Sequence, residues 1–154
     1  MLLAINAGAY LNTGTYGTPT WTSIAAILND AMLDISWDEA QIPTRASKVK
    51  KGGKTLADVP FTFKLKEDLT DTNFLLFWAA LISNTTVVDL LILNAANTVN
   101  GARGVRGEFN IMSNSEPQGL ADGLVYDLTA KPADTANQFS TAVVASGAPV
   151  FTAF

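Results

Sequence analysis

The stretch Val59-Pro-Phe-Thr-Phe-Lys-Leu-Lys-Glu-Asp-Leu-Thr-Asp-Thr-Asn-Phe-Leu-Leu-Phe-Trp-Ala-Ala-Leu-Ile-Ser83 changes its hydrophobic period partway along. As far as Lys66, Phe61, Phe63 and Leu65 alternate with Thr62, Lys64 and Lys66. A period of two is that of a strand with one buried face. Pro60 has no N–H to give to a ladder, which places it at an edge or a strand start. From Phe74 the period lengthens. Phe74, Phe77, Trp78, Leu81 and Ile82 follow the i, i+3, i+4 spacing of one helix face. A side-chain oxygen of Thr70 or Asp71 can accept a backbone N–H of the first turn and so start the helix. The spacing predicts a helix over Asp71 to Ser83, packed through Phe74, Phe77, Trp78 and Leu81. Leu75, Leu76, Ala79 and Ala80 leave it almost no polar face. Such a helix needs cover on all sides, from its own sheet and from another subunit.

Strands flank this helix in both directions. Upstream, Ala31, Leu33, Ile35 and Trp37 alternate with Asp30, Met32, Asp34, Ser36 and Asp38, which predicts a half-buried strand. Between it and Val59 lies a basic segment. Arg45, Lys48, Lys50, Lys51 and Lys54 are half of the chain's ten basic residues, and Gly52-Gly53 sits among them. It reads as a long, flexible hairpin connection. Trp21 to Ile27 is a short strand, and residues 1–20, rich in Gly, Thr, Asn and Ala, read as an irregular arm. Downstream, Val87 to Leu93 is apolar except at Asp89, as in a strand covered on both faces. After a polar loop, Val105, Gly107, Phe109 and Ile111 alternate with Arg106, Glu108 and Asn110. Asn114 to Gly119 is a further loop. Leu124, Tyr126 and Leu128 form the last clear strand, stopped by Pro132, and residues 133–154 read as a low-charge tail. The fold class is mainly β: a β-sandwich or open β-barrel with one packed α-helix, in a single domain over 1–154.

The surface implied by the composition is unusual. Apolar residues make up 48% of the chain and charged residues 16%, against roughly 25% charged in a typical soluble domain. Too few charges remain to cover an ordinary wet surface, so neighbours of an obligate assembly must cover part of it. A membrane span is not the reason. The longest apolar run, Phe74 to Ile82, falls well short of the roughly 20 residues a spanning helix needs. Met1 to Ile5 lacks the basic and apolar regions of a signal peptide.

Chemistry is equally constrained. The chain has no cysteine and no histidine, which removes disulfides, thiol nucleophiles, imidazole bases and the usual zinc ligands together. No cofactor and no metal is expected, and no enzymatic activity. A net charge of −4 argues against a protein that grips phosphates. Asp38-Glu39 cannot act as a glycosidase pair, because neighbours on a strand point to opposite faces. Asp30, Asp34 and Asp38, expected on one strand face, would stand roughly 13 Å apart in steps of four residues, too far to share a calcium ion. Arg103-Gly-Val-Arg-Gly has the look of an arginine-glycine RNA-binding unit, but it occurs once and inside an alternating strand. Asn84-Thr-Thr86 matches a glycosylation acceptor, which carries no meaning without a secretory signal.

Several stretches together resemble the phage tail tube (major tail) proteins. Thr18-Pro-Thr-Trp-Thr-Ser-Ile and Asp30-Ala-Met-Leu-Asp-Ile-Ser are similar to that family's entry into its first long strand. Asp38-Glu-Ala-Gln-Ile-Pro-Thr-Arg45 resembles the passage before its extended hairpin loop. The helix Asp71 to Ser83 stands in the place of its single helix. Gly104-Val-Arg-Gly-Glu-Phe and Leu124-Val-Tyr-Asp-Leu-Thr-Ala-Lys-Pro132 are similar to its closing strands. The resemblance covers roughly residues 18–132 and is one of layout.

That resemblance implies a structural subunit of the virion, made in the bacterial host cytoplasm. Its copies would form hexameric rings around a wide inner β-barrel, stacked on a tape-measure protein, with tail-end proteins as further partners. DNA would pass through without specific binding, and no membrane is involved. Arg45, Lys48, Lys50, Lys51, Gly52, Gly53 and Lys54 are then expected to form a subunit-interface loop that docks on acidic neighbours. Asp30, Asp34 and Asp38 are expected to face the lumen, because an acidic wall repels phosphates that lysines would hold. The alternatives are another virion β-protein, such as a tail terminator or head decoration subunit, or the tube of a contractile or secretion apparatus.

Overall fold

A computed structural model describes residues 8–42, 51–66, 70–115 and 125–153. Eleven strands and one helix follow in the order β1 (Gly8–Asn12), β2 (Trp21–Ser23), β3 (Leu28–Leu33), β4 (Ser36–Ile42), β5 (Lys51–Asp58), β6 (Phe61–Lys66), α1 (Thr72–Ile82), β7 (Val88–Leu93), β8 (Arg103–Ser115), β9 (Val125–Pro132), β10 (Ser140–Ala145) and β11 (Ala148–Ala153). The fold is mainly β with one helix. Nine strands form one sheet in the order β2-β1-β7-β8-β9-β6-β3, with β10 and β11 added beside β8. That sheet is open; among the described residues it does not close into a barrel.

β8 organises the sheet. Its first half, Gly104 to Phe109, pairs with β7 on one side. On its other side Arg103 to Arg106 pair with β10, and Phe109 to Ser115 pair with β9. β9 and β10 therefore follow one another along the same edge of β8. The intervening residues 133–139 loop out and return with Phe139 packed edge-on against Phe109, ring centroids 5.9 Å apart. Phe139 lies where a side chain at Gly107 would be, and Gly104 sits so close to the Ile92 carbonyl that a Cβ would lie 1.7 Å from its oxygen. These two glycines let β7 and the loop approach β8.

The sheet curls so that one face encloses the main core. Phe61, Phe63 and Leu65 of β6, Tyr126, Leu128 and Ala130 of β9, and Phe109 and Ile111 of β8 meet Leu90 and Ile92 of β7 there. α1 fills the opening. Phe77 stacks edge-on against Phe63 at 5.6 Å, and Phe74 meets Tyr126 at 5.6 Å. Asp71 caps the helix by accepting the Asn73 N–H at 2.8 Å. Ser83 ends it by donating its N–H to the Ala79 carbonyl. On the reverse face, Leu91, Leu93, Ala102, Ala142 and Val144 make a second, smaller core with Tyr10, Trp21 and Phe151. β7 is thus covered on both faces, as its apolar run, broken only by Asp89, requires.

Several expectations are corrected. Residues 1–20 contain β1, whose Ala9 and Leu11 are core residues; its apolar positions are spaced two apart within glycine-rich surroundings that hide them. Residues 133–154 are no loose tail, since β10 and β11 form a hairpin along β8. Pro132 is the last residue of β9 and does not stop the chain's run along that edge. The single strand expected over Asp30 to Asp38 is two strands, β3 and β4, in different sheets. Both pieces alternate, so their period does not show where the chain leaves one sheet for the other. α1 buries Phe74, Phe77 and Ala80, but Leu75, Leu76, Trp78 and Ile82 are exposed in the single chain, Ile82 at 71%.

Candidate assembly surfaces

β4 and β5 form a two-stranded ribbon that hydrogen-bonds to no other described strand. Its register runs from Ser36 opposite Asp58 out to Ile42 opposite Lys51. Its base reaches the main core through Ala57. Between the base and the middle of the ribbon, Lys54 stands over the Trp37 ring, 5.2 Å from its centroid. Of the expected interface loop, Lys51, Gly52, Gly53 and Lys54 are therefore strand residues of β5, which corrects their reading as a loop. Arg45, Lys48 and Lys50 lie outside the described residues. The Glu39 side chain crosses over Gly52, in the space a Cβ there would take.

The three aspartates expected to face a lumen do not share a strand. Asp30 is on β3, at a bulge between Asn29 and Ala31. Asp34 follows the end of β3 and donates its N–H to the Pro60 carbonyl at 3.1 Å. Asp38 is on β4, in the ribbon. The acidic row is corrected: Asp30 belongs to one sheet, Asp38 to the other, and Asp34 lies in the link between β3 and β4. The helix residues Phe74 and Phe77 are buried and Leu81 partly so. Trp78 is 40% exposed and touches the body through Tyr126, ring centroids 5.8 Å apart.

Four strands, β3-β6-β9-β8, present a polar face opposite the core. Thr62, Lys64 and Lys66 of β6 lie beside Asp127, Thr129 and Lys131 of β9, with Lys64 directly opposite Asp127. Asn110 and Met112 of β8 continue this face. β3 ends the strand order on one side. On the other, β7 stops at Val88, opposite Phe109. Beyond Phe109, β8 has a strand neighbour only at β9 among the described residues.

One cluster is absent from the sequence reading. Arg106 is 5% exposed and lies inside the reverse-face core. Its Nη2 donates to Asp89 Oδ2 at 2.8 Å and to the Tyr16 carbonyl at 2.9 Å, and its Nε donates to Asp89 Oδ1 at 3.3 Å. Three rings surround the guanidinium: Tyr16 at 4.0 Å, Phe151 at 4.7 Å and Trp21 at 4.9 Å. Asn12 donates a further hydrogen bond to Asp89, at 2.9 Å. Burial in a paired, stacked setting suits arginine, whose planar fork matches a carboxylate and whose faces lie well on rings. The second arginine of Arg103-Gly-Val-Arg-Gly is thereby engaged inside the protein. The signal was available: Asp89 is the only charge in an otherwise apolar strand, and a carboxylate in such a place requires a cation.

No protein-family model matches the chain, and no curated protein matches its sequence. Solved structures do match. A chain in the virion of a native gene transfer agent (GTA) particle is 15% identical with a TM-score of 0.60, the match covering 96% of each chain. A chain of the tail of an empty GTA particle, solved by helical refinement with C6 symmetry, is 16% identical with a TM-score of 0.61, again over 96% of each. A chain of the SPP1 tail tube is 7% identical with a TM-score of 0.65, over 100% of this chain and 80% of that one.

The chain has the fold of a tail tube subunit. The likeness covers 96% to 100% of this chain, at identities that speak for the fold alone.

Proposed function

We propose that the chain is the building block of a virion tail tube, with six copies joined into a ring and rings stacked into a hollow conduit for DNA. The observation that carries this reading is the full-length likeness to a tail subunit arranged with C6 symmetry. The four-stranded sheet supports it. β3-β6-β9-β8 is antiparallel throughout, so its two end strands run in opposite directions. The β3 of one copy, set beside the far half of β8 of the next, continues the same antiparallel ladder. An even number of strands lets rotation repeat that seam without a defect and close the sheet into a barrel with no edges.

In such a barrel the bulky body, α1 with the β1-β7-β8 layer, fits only outside. The polar face of Thr62, Lys64, Lys66, Asp127, Thr129 and Lys131 then lines the lumen. That wall is mixed in sign, with Lys64 offset by Asp127 across the strand pair, in place of the acidic row expected from sequence. Cross-strand partners weaken the hold of lysines on passing phosphates, which is otherwise released only by salt. A protein that sets tube length and others that close its ends would complete the tail. The chain would be made in the host cytoplasm and act in the virion as a structural component without catalytic work.

Sedimentation velocity over a range of concentrations tests the association. Growth to rings and larger species with concentration is expected. A monomer at every concentration contradicts the reading.

A further inference from the structure

The sheet β3-β6-β9-β8 carries one exposed apolar side chain at each of its two ends. Met32 of β3 lies opposite Thr62, on the face away from Phe61 and Phe63, and is 41% exposed. Met112 stands at the bulge of β8 between Ile111 and Ser113 and is 60% exposed. Among the described residues no other large apolar side chain of these four strands is exposed. Two such side chains on the end strands, with none between them, fall where the ends of neighbouring copies would meet.

The pairing already made limits the register of that meeting. β7 occupies β8 as far as Phe109, so a neighbour's β3 has the edge from Asn110 onward. An antiparallel alignment that starts there sets Leu33 beside Ile111 and Met32 beside Met112. Leu33 and Ile111 then share the core face, and the methionines share the other. A slip of one residue exchanges the faces of β3. A slip of two drives Leu33 onto Phe109, which Val88 already holds, or leaves the start of the edge bare. Asp34 donates its N–H to Pro60 of the same chain. Met32, two residues earlier, likewise turns its backbone groups to β6 and meets β8 at a position without hydrogen bonds, where Cα atoms approach to about 4.5 Å. An unbranched, flexible side chain suits the irregular space beside a bulge.

We propose that Met32 of one copy packs on Met112 of the next, and that this contact fixes the register of the seam. The proposal rests on the tube reading and names what sets the bore. A register shift repeated at every seam changes the shear of the whole barrel, and with it the strand tilt and diameter.

The chain has no cysteine, so a Met32→Cys/Met112→Cys double variant reports directly on the contact. Within one chain the two strands are three strand spacings apart, about 14 Å, beyond the roughly 7 Å limit of a disulfide. Mild oxidation of the assembled variant should therefore join copies head to tail into a ladder of disulfide-linked oligomers. Met32→Cys/Asn110→Cys, the pair that a two-residue slip would join, should link only weakly. In parallel, Met112→Gln, similar in length but polar, should raise the concentration needed for assembly about tenfold while its melting temperature hardly moves. If the parent forms rings or tubes but the Met32 and Met112 positions link no better than Met32 and Asn110, and Met112→Gln assembles like the parent, the register is wrong and the tube reading stands. If the parent never assembles, both fall.

Discussion

At the scale of single residues, Arg106 and the helix aromatics separate what holds the subunit together from what is left for neighbours. Arg106 ties β8 to Asp89 of β7, to the loop carrying Tyr16 and to Phe151 of the last strand. Arg106→Met would keep the bulk and strand the Asp89 carboxylate. Breaking one partner out of a buried pair costs about 3 to 5 kcal/mol, a large share of the roughly 5 to 15 kcal/mol that holds a domain folded. A urea unfolding midpoint far below the parent's is the expected outcome, and an unchanged midpoint would show the node to be ornamental. Arg106→Lys, which keeps charge but not the fork, should fall between. Phe77 and Trp78 make the second contrast. Phe77, 1% exposed, should lose about 3 to 5 kcal/mol on truncation to alanine. Trp78, anchored by one ring contact, should lose clearly less in the isolated subunit. Equal losses would place Trp78 in the core after all. Periodicity put both residues on a helix. It could not rank them, because an all-apolar helix does not reveal which face its own sheet covers.

At the scale of elements, legibility depended on whether a single feature fixed the boundary. α1, β6, β7 and the alternation of β8 and β9 were readable because each has a long run of one period. β1, β10 and β11 were not. β1 offers only Ala9 and Leu11 beside a glycine, β10 only Ala142 and Val144, and the turn joining β10 to β11 is the inconspicuous pair Ser146-Gly147. Both residues have positive φ, 52° and 75°, the twist a two-residue hairpin needs. The candidate site was less legible still. Which edges remain open follows from how far β7 runs along β8, a long-range register absent from local pattern. Those edges supply a test of ring closure. Asp34 bonds back to Pro60, so the alternate position Ala31 turns its N–H away from β6, towards the outer side of β3. Proline is tolerated at such a position in an edge strand. Ala31→Pro should leave a folded monomer by circular dichroism and prevent ring formation. Rings that form normally would mean that β3 does not join copies.

At the scale of the molecule, the shortage of charge, the open four-stranded sheet and the apolar outer helix face share one explanation, an assembly that covers what one chain leaves bare. The net charge of −4 fits a wall that does not hold DNA, and the mixed face of β6 and β9 avoids a continuous basic track. Half of the chain's ten basic residues fall instead in the segment Arg45 to Lys54. The measurement closest to the central claim is electron microscopy of the purified chain at concentrations where it associates. Six-fold rings and hollow tubes of constant diameter, with the β3 and β8 edges of adjacent copies joined in the averaged density, are the expected result. Closed particles of another symmetry, or separate monomers throughout, would contradict it.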